Sequence, residues 1–209
     1  MRVSREQFGE NRQRILEIAA RRFREKGLEG IGVDGIMDEA GLTHGGFYGH
    51  FASKADLAEQ ACAAAVGKSA EKWEAMARAR PETGLAEIAR SYLSKRHRDD
   101  PGGGCVFAAL GGEVARRSDA VRATVTKGVQ AQLGVLERVA SGRSKSARRK
   151  QAIATMSGLG ESVHHQRIPA VHGPGEVLEE YKRDAVGLAQ AAVCVRDPVG
   201  FDEFRGCIS

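Results

Sequence analysis

Between Ser4 and Lys26 the apolar positions Leu16, Ala19, Ala20 and Phe23 recur at the i, i+3, i+4, i+7 spacing of a helix with one buried face. Gly27 follows, a residue able to take the left-handed conformation that closes helices. Val33, Ile36, Met37 and Ala40 repeat the spacing on a shorter second helix, and Gly41 turns the chain. A third helix is predicted to begin with Thr43 as N-cap and to end near Phe51. Ser53-Lys-Ala-Asp56 then has the form of a capping box, opening a long helix to about Arg78.

Pro81 breaks that pattern and starts a helix expected to reach about His97. Asp99 to Gly104, with a proline and three glycines, reads as a loop. Helix is expected again from Cys105 to Arg117, and Ser118 caps another carrying Val125, Val129, Leu133, Leu136 and Ala140. The basic stretch Arg143 to Lys150 leads into a helix expected to end around Gly158. His164 to Gly175 reads as a loop, and Leu178, Tyr181, Ala185, Leu188, Ala189 and Ala192 mark a last amphipathic helix before the tail after Pro198. There are no internal repeats.

Scarce aromatics, 5% of the chain, and the absence of strand patterns make this an all-α protein. The chain of 209 residues is long enough for one or two domains with a full core. A net charge of +5 suits a polyanionic partner without demanding one. Residues 1–54 hold nine Lys or Arg and eight acids, leaving only +1, so a nucleic-acid face there depends on placement rather than on total charge. Cys62, Cys105, Cys194 and Cys207 have no zinc-type or close spacing. With no apolar leader and no long apolar run, the expectation is a cytoplasmic protein with reduced thiols and no membrane partner.

The decisive segment is Gly41-Leu-Thr-His-Gly-Gly-Phe-Tyr-Gly-His-Phe-Ala-Ser-Lys54. A short amphipathic helix, a glycine turn and a second short helix form the arrangement by which a compact domain presents one helix to the major groove. The segment resembles the TetR/AcrR family of bacterial transcriptional regulators. The likeness runs from about Asn11 to Leu57, and the loop-helix punctuation as far as residue 140, including the His97 to Cys105 junction, is similar too. The resemblance implies an N-terminal three-helix DNA-binding domain over residues 1–54 and a C-terminal helical ligand-binding and dimerisation domain over residues 55–209. It also implies a homodimeric repressor released from double-stranded operator DNA by a small-molecule inducer. Gly158 to Gly175, with four glycines, two prolines and three histidines, departs from the nearly unbroken helix of the family.

Thr43 can cap its helix and reach a phosphate. The resemblance assigns backbone contacts to Tyr48 and Lys54, an O–H donor and a phosphate-neutralising ammonium. His50 either joins them or packs, while Phe47 and Phe51 are core candidates. Gly45, Gly46 and Gly49 each cost roughly 1 kcal/mol in a helix relative to alanine, which makes sense if DNA must come close to the backbone. They leave His44 and Thr43 as the readers of base edges. Arg2 and Arg5 either reach the minor groove from an arm or form a solvated terminus.

Cys105 follows three glycines and opens a helix, where backbone dipoles favour a thiolate. It is therefore an alternative sensor, for oxidants or electrophiles, or else a small buried hydrophobe, the commoner fate of a free cysteine. Cys62, in an alanine-rich helix, reads as packing. Trp73, Tyr92, Phe107 and Tyr181 either line a ligand cavity, as the family implies, or belong to the core. His164, His165 and His172 lack a cysteine or carboxylate at ligand spacing, so no metal is expected. Cys105 with His97 as base is the one nucleophilic pair on offer. Without a companion acid, an oxyanion arrangement or a cofactor motif, neither an enzyme nor a cofactor is expected. Arg143, Lys145, Arg148, Arg149 and Lys150 read as a solvated helix start.

Overall fold

The computed structural model describes residues 4–166, with side chains through residue 160. Among these residues the protein is built of helices alone: α1 (Arg5–Lys26), α2 (Val33–Glu39), α3 (His44–His50), α4 (Lys54–Ala79), α5 (Gly84–Tyr92), α6 (Lys95–Asp99), α7 (Val106–Val114), α8 (Asp119–Val139) and α9 (Lys145–Gln166). A 3-10 turn, Pro101–Gly103, sits between α6 and α7.

The first helix starts where the Ser4 hydroxyl accepts the Gln7 amide at 3.1 Å. It stops at Gly27, whose φ of 79° lies in the region that L side chains avoid. Gly41, at φ 70°, makes the turn between α2 and α3 in the same way. Ile15, Leu16, Ala19 and Phe23 of α1, Ile36 and Met37 of α2, and Phe47 and Phe51 at α3 close one core. That core continues into Leu57, Ala61 and Val66 of α4, into α7 and into Val121 and Val125 of α8. A second core gathers Trp73, Ile88, Tyr92, Leu133, Leu136, Met156 and Leu159. The long helix α4 contributes to both, so the three N-terminal helices rest on the same rod as the C-terminal bundle. The α4–α8 crossing is tight at Gly128, where a Cβ would overlap Val66 Cγ1 and stand 2.7 Å from Val66 Cβ.

Four expectations about element bounds are revised. The helix expected from Pro81 to His97 is two helices. Ser94 divides them by accepting the His97 amide at 3.2 Å, a side-chain cap that competes with helix continuation. The Asp99 to Gly104 loop contains the 3-10 turn, held by the Asp100 carboxylate accepting the Gly103 amide at 3.0 Å. The helix expected to reach Arg117 ends at Val114, and its last turn tightens through an Arg117 N–H to Val114 carbonyl bond of 3.0 Å. The helix expected to end around Gly158 runs on through His164 and His165 to Gln166. Burial of Met156 and Leu159 against the second core outweighs the propensity cost of Gly158 and Gly160. Arg2, His172, Tyr181, Cys194, Cys207 and the helix expected at 178–192 lie outside the described residues.

Candidate nucleic-acid interface

The third helix, α3, is held from behind by its aromatic residues. Phe47 and Phe51 are almost fully buried, with ring centroids 5.7 Å apart. Arg12 of α1 lies over the Phe51 ring at 4.9 Å and donates to Gln60 of α4, which ties the three helices at one point. This anchoring leaves Thr43, His44, Gly45, Gly46, Tyr48 and Gly49 exposed to solvent. Tyr48 is 66% exposed, with its ring edge-on to Phe47 at 5.3 Å and to His44 at 5.9 Å. An aromatic ring standing that far from the surface covers no core. Its cost in water is recovered only if something lands on it.

Thr43 takes the N-cap position with extended backbone, yet its hydroxyl makes no capping bond, so the oxygen is available to an outside partner. His44 Nδ1 pairs with the Asp34 carboxylate of α2. With Asp34 as acceptor that nitrogen carries a proton and donates. The three glycines meet no packing demand from the protein itself. A Cβ at Gly45 would touch nothing within 4 Å, one at Gly46 would stand 3.6 Å from Thr43 Oγ1, and one at Gly49 would stand 3.8 Å from Phe8.

Lys54, the first residue of α4, donates from Nζ to Glu29 at 2.9 Å, and Arg117 donates to the same carboxylate at 2.6 Å. The bond from Lys54, and then that from Arg117, holds the Glu29 carboxyl below its ordinary pKa. The capping box forms with one displacement. The Ser53 hydroxyl accepts the Asp56 amide at 3.1 Å, but the Asp56 carboxylate returns to the Ala52 amide at 2.9 Å rather than to Ser53. His50 turns inward and stacks on Phe8 of α1, centroids 4.1 Å apart, with its Nδ1 buried and unpartnered. Burial, and secondarily the charge of Arg12, lowers the His50 pKa. The ring is therefore neutral at physiological pH. Arg5 is exposed in the first turn of α1.

Residues 15–61 match the family described as bacterial regulatory proteins, tetR family. An HTH-type transcriptional regulator of Staphylococcus aureus (strain USA300) is 50% identical over 48 residues, 23% of this chain. The chain spans about a quarter of the length of the curated relatives it matches, 26% in that case. The wider fold has its own parallels. E. coli NemR, in its reduced form, superposes with a TM-score of 0.73 at 16% identity, covering 85% of this chain and 96% of NemR. SCO4454, a TetR-family regulator from Streptomyces coelicolor, gives 0.71 at 21% identity, with 88% and 96% covered. The likeness to the tetR family lies in residues 15–61, and the wider fold is shared with a solved TetR-family regulator. The relatives matched over that segment are HTH-type transcriptional regulators.

The residues named for effector binding do not all converge. Trp73 and Tyr92 meet edge to face at 6.0 Å, both buried, and with Cys105 they line a cavity of about 210 Å³. Phe107 does not join them. It lies 44% exposed on α7, beside Gly111 and Gly160. Cys105 is buried at the N-cap of α7, and its backbone amide donates to His97 Nε2 at 3.1 Å, so that nitrogen of His97 faces the backbone rather than the thiol. Burial raises the Cys62 pKa to about 11, the mark of a packed, protonated thiol. In the basic stretch, Arg149 pairs with Glu137 and Arg148 donates to the Gly142 carbonyl at 3.1 Å, as a helix start does. Among the described residues no three His, Cys, Asp or Glu side chains gather as a metal site, and no helix is long and apolar enough to cross a membrane.

Sequence reasoning missed Asp34, Glu29 and Phe8. Each meets its partner from a different element, Asp34 with His44, Glu29 with Lys54 and Phe8 with His50, so no local spacing announces it.

Proposed function

We propose that the chain acts in the cytoplasm as a homodimeric repressor that a small molecule releases from operator DNA. In this reading residues 1–54 are the DNA-binding unit and residues 55–209 the ligand-binding and dimerisation unit. The observation that carries it is the outer face of α3. There, three glycines that packing does not require flank a tyrosine 66% exposed, between a free threonine hydroxyl and a lysine. Thr43 and Tyr48 donate to phosphates, and Lys54 exchanges Glu29 for a phosphate. His44 presents Nε2 to a base edge, and Gly45 lets the helix close on the groove. His50 serves by fixing α3 against Phe8. Release is a population shift towards a subunit arrangement whose α3 helices miss successive major grooves, about 34–36 Å apart.

Titration of the protein with its own upstream duplex and with unrelated duplex, across a salt series, tests the reading. Tighter binding to the upstream duplex, lost in a folded Tyr48→Phe, Lys54→Ala variant, supports it. Equal affinity for both duplexes that the variant leaves unchanged refutes it.

A second reading places the signal at the Cys105 thiol. It is supported by the position of Cys105 at the start of α7, whose far end holds the DNA-binding unit. Glu113 accepts the Leu28 amide at 2.9 Å, and Arg117 binds Glu29. Cys105→Ser separates the two readings, since a thiol switch loses its oxidant response and a reversible ligand switch keeps its own.

A further inference from the structure

Two adjoining cavities open where α1, α4 and the segment before α7 meet. The one of about 210 Å³ that holds Trp73, Tyr92 and Cys105 is also lined by Arg24, Lys68 and Lys72, and no acidic residue lines it. The other, of about 310 Å³, shares Arg24 and Lys68 and adds Arg21 and Glu17. The lining of the first cavity therefore combines buried aromatic rings with cations.

The acids near these cations are mostly committed. Glu17 accepts from Lys68 at 2.9 Å, and Arg21 holds Glu25 at 2.9 Å and Asp100 at 3.1 Å. Arg24 is different. Its half-buried guanidinium donates through Nε to the Gly102 carbonyl at 2.7 Å, and no described carboxylate pairs with it. Burial lowers its pKa from the ordinary arginine value, with Cys62, then Asp100, acting the other way through space. Lys72 likewise has no ion-pair partner among the described residues. A carbonyl satisfies a hydrogen bond but not a charge, so the cavity holds cationic character without a counter-ion.

We propose that this cavity binds a small organic acid with a planar, single-ring body, its carboxylate on Arg24 and Lys72 and its ring against Trp73 and Tyr92. Bidentate geometry makes a guanidinium the natural carboxylate partner, and the volume suits a ligand below drug size. The assignment names the ligand class for the ligand-release reading and rests on that reading only for its consequence. Arg24 belongs to α1, so a carboxylate competes with the Gly102 carbonyl for it and loosens the contact between the DNA-binding unit and the segment before α7.

Isothermal titration calorimetry of the full chain with benzoate, salicylate, phenylacetate and 4-hydroxybenzoate, each beside its neutral amide, tests the site. At least one acid binds, its amide is at least about tenfold weaker, and Arg24→Gln weakens the acid about tenfold to a hundredfold. Lys72→Gln, on the surface and harmless to folding, weakens it in the same direction. Failure of all four acids to bind, or equal binding of acid and amide, overturns the site. Binding that leaves operator affinity unchanged keeps the site and overturns its link to release from DNA.

Discussion

Gly45 separates a structural from a functional explanation at a single residue. Nothing within the protein contests a Cβ there, so Gly45→Ala stabilises the fold by up to about 1 kcal/mol through helix propensity. The same methyl intrudes where α3 meets the groove and weakens operator binding by about tenfold or more. Thermal unfolding and anisotropy titration of the one variant check both halves. A variant that binds as wild type would remove the reason for the glycines. His50 makes a pH prediction. Its folded pKa is lowered from 6.5 by burial, so below about pH 6.5 the unfolded chain takes up a proton that the folded one resists. Its contribution to stability is therefore complete above that pH and is lost as pH falls towards the lower folded value. Denaturant unfolding at pH 7.5 and 5.5 should show a smaller acid loss for His50→Phe than for wild type. Residue chemistry was legible in the sequence where it is local, as with the Ser53 cap and the buried Phe47 and Phe51. The inward turn of His50 was not, because Phe8 reaches it from another helix.

Helices interact through a few cross-links, and two of them make predictions. Glu29, in the loop after α1, holds both Lys54 of α4 and Arg117 beyond α7. Glu29→Gln removes the acid that competes with phosphate for Lys54 and raises operator affinity about two- to fivefold, the scale of an exposed ion pair. A fall in affinity would mean that Glu29 positions Lys54 instead of withholding it. At the α4–α8 crossing, Gly128→Ala forces Val66 aside and should cost about 1–3 kcal/mol in denaturant unfolding. The periodicity of α1 to α4 was readable because capping residues and glycines mark every boundary. The break at Leu93 to Ser94 and the run of α9 past Gly158 were not, since a side-chain cap overrides one apolar pattern and burial of Met156 and Leu159 overrides two glycines.

In the whole molecule, α4 enters both hydrophobic cores and α7 joins the cavity at Cys105 to the loop before α2 through Glu113 and Arg117. In the ligand-release reading, a signal received among the C-terminal helices has two routes of contact to the DNA-binding unit, one along α4 and one along α7. The fold class and the family were written in residues 41–54, where a glycine turn, two buried aromatics and exposed polar groups coincide. The cavity proposed for an effector was only half legible. Trp73, Tyr92 and Cys105 were named from the sequence, but Arg24 joins Lys68, Lys72 and Trp73 of α4 only after α1 packs on α4, and Phe107 lies elsewhere. The central claim is that the face of α3 recognises a specific DNA sequence as a symmetric pair. Footprinting of the upstream intergenic duplex by the wild type and by the folded Tyr48→Phe, Lys54→Ala variant tests it most directly. The account predicts a two-fold symmetric footprint with half-sites about 34–36 Å apart for the wild type and none for the variant. Identical footprints for both proteins would contradict it.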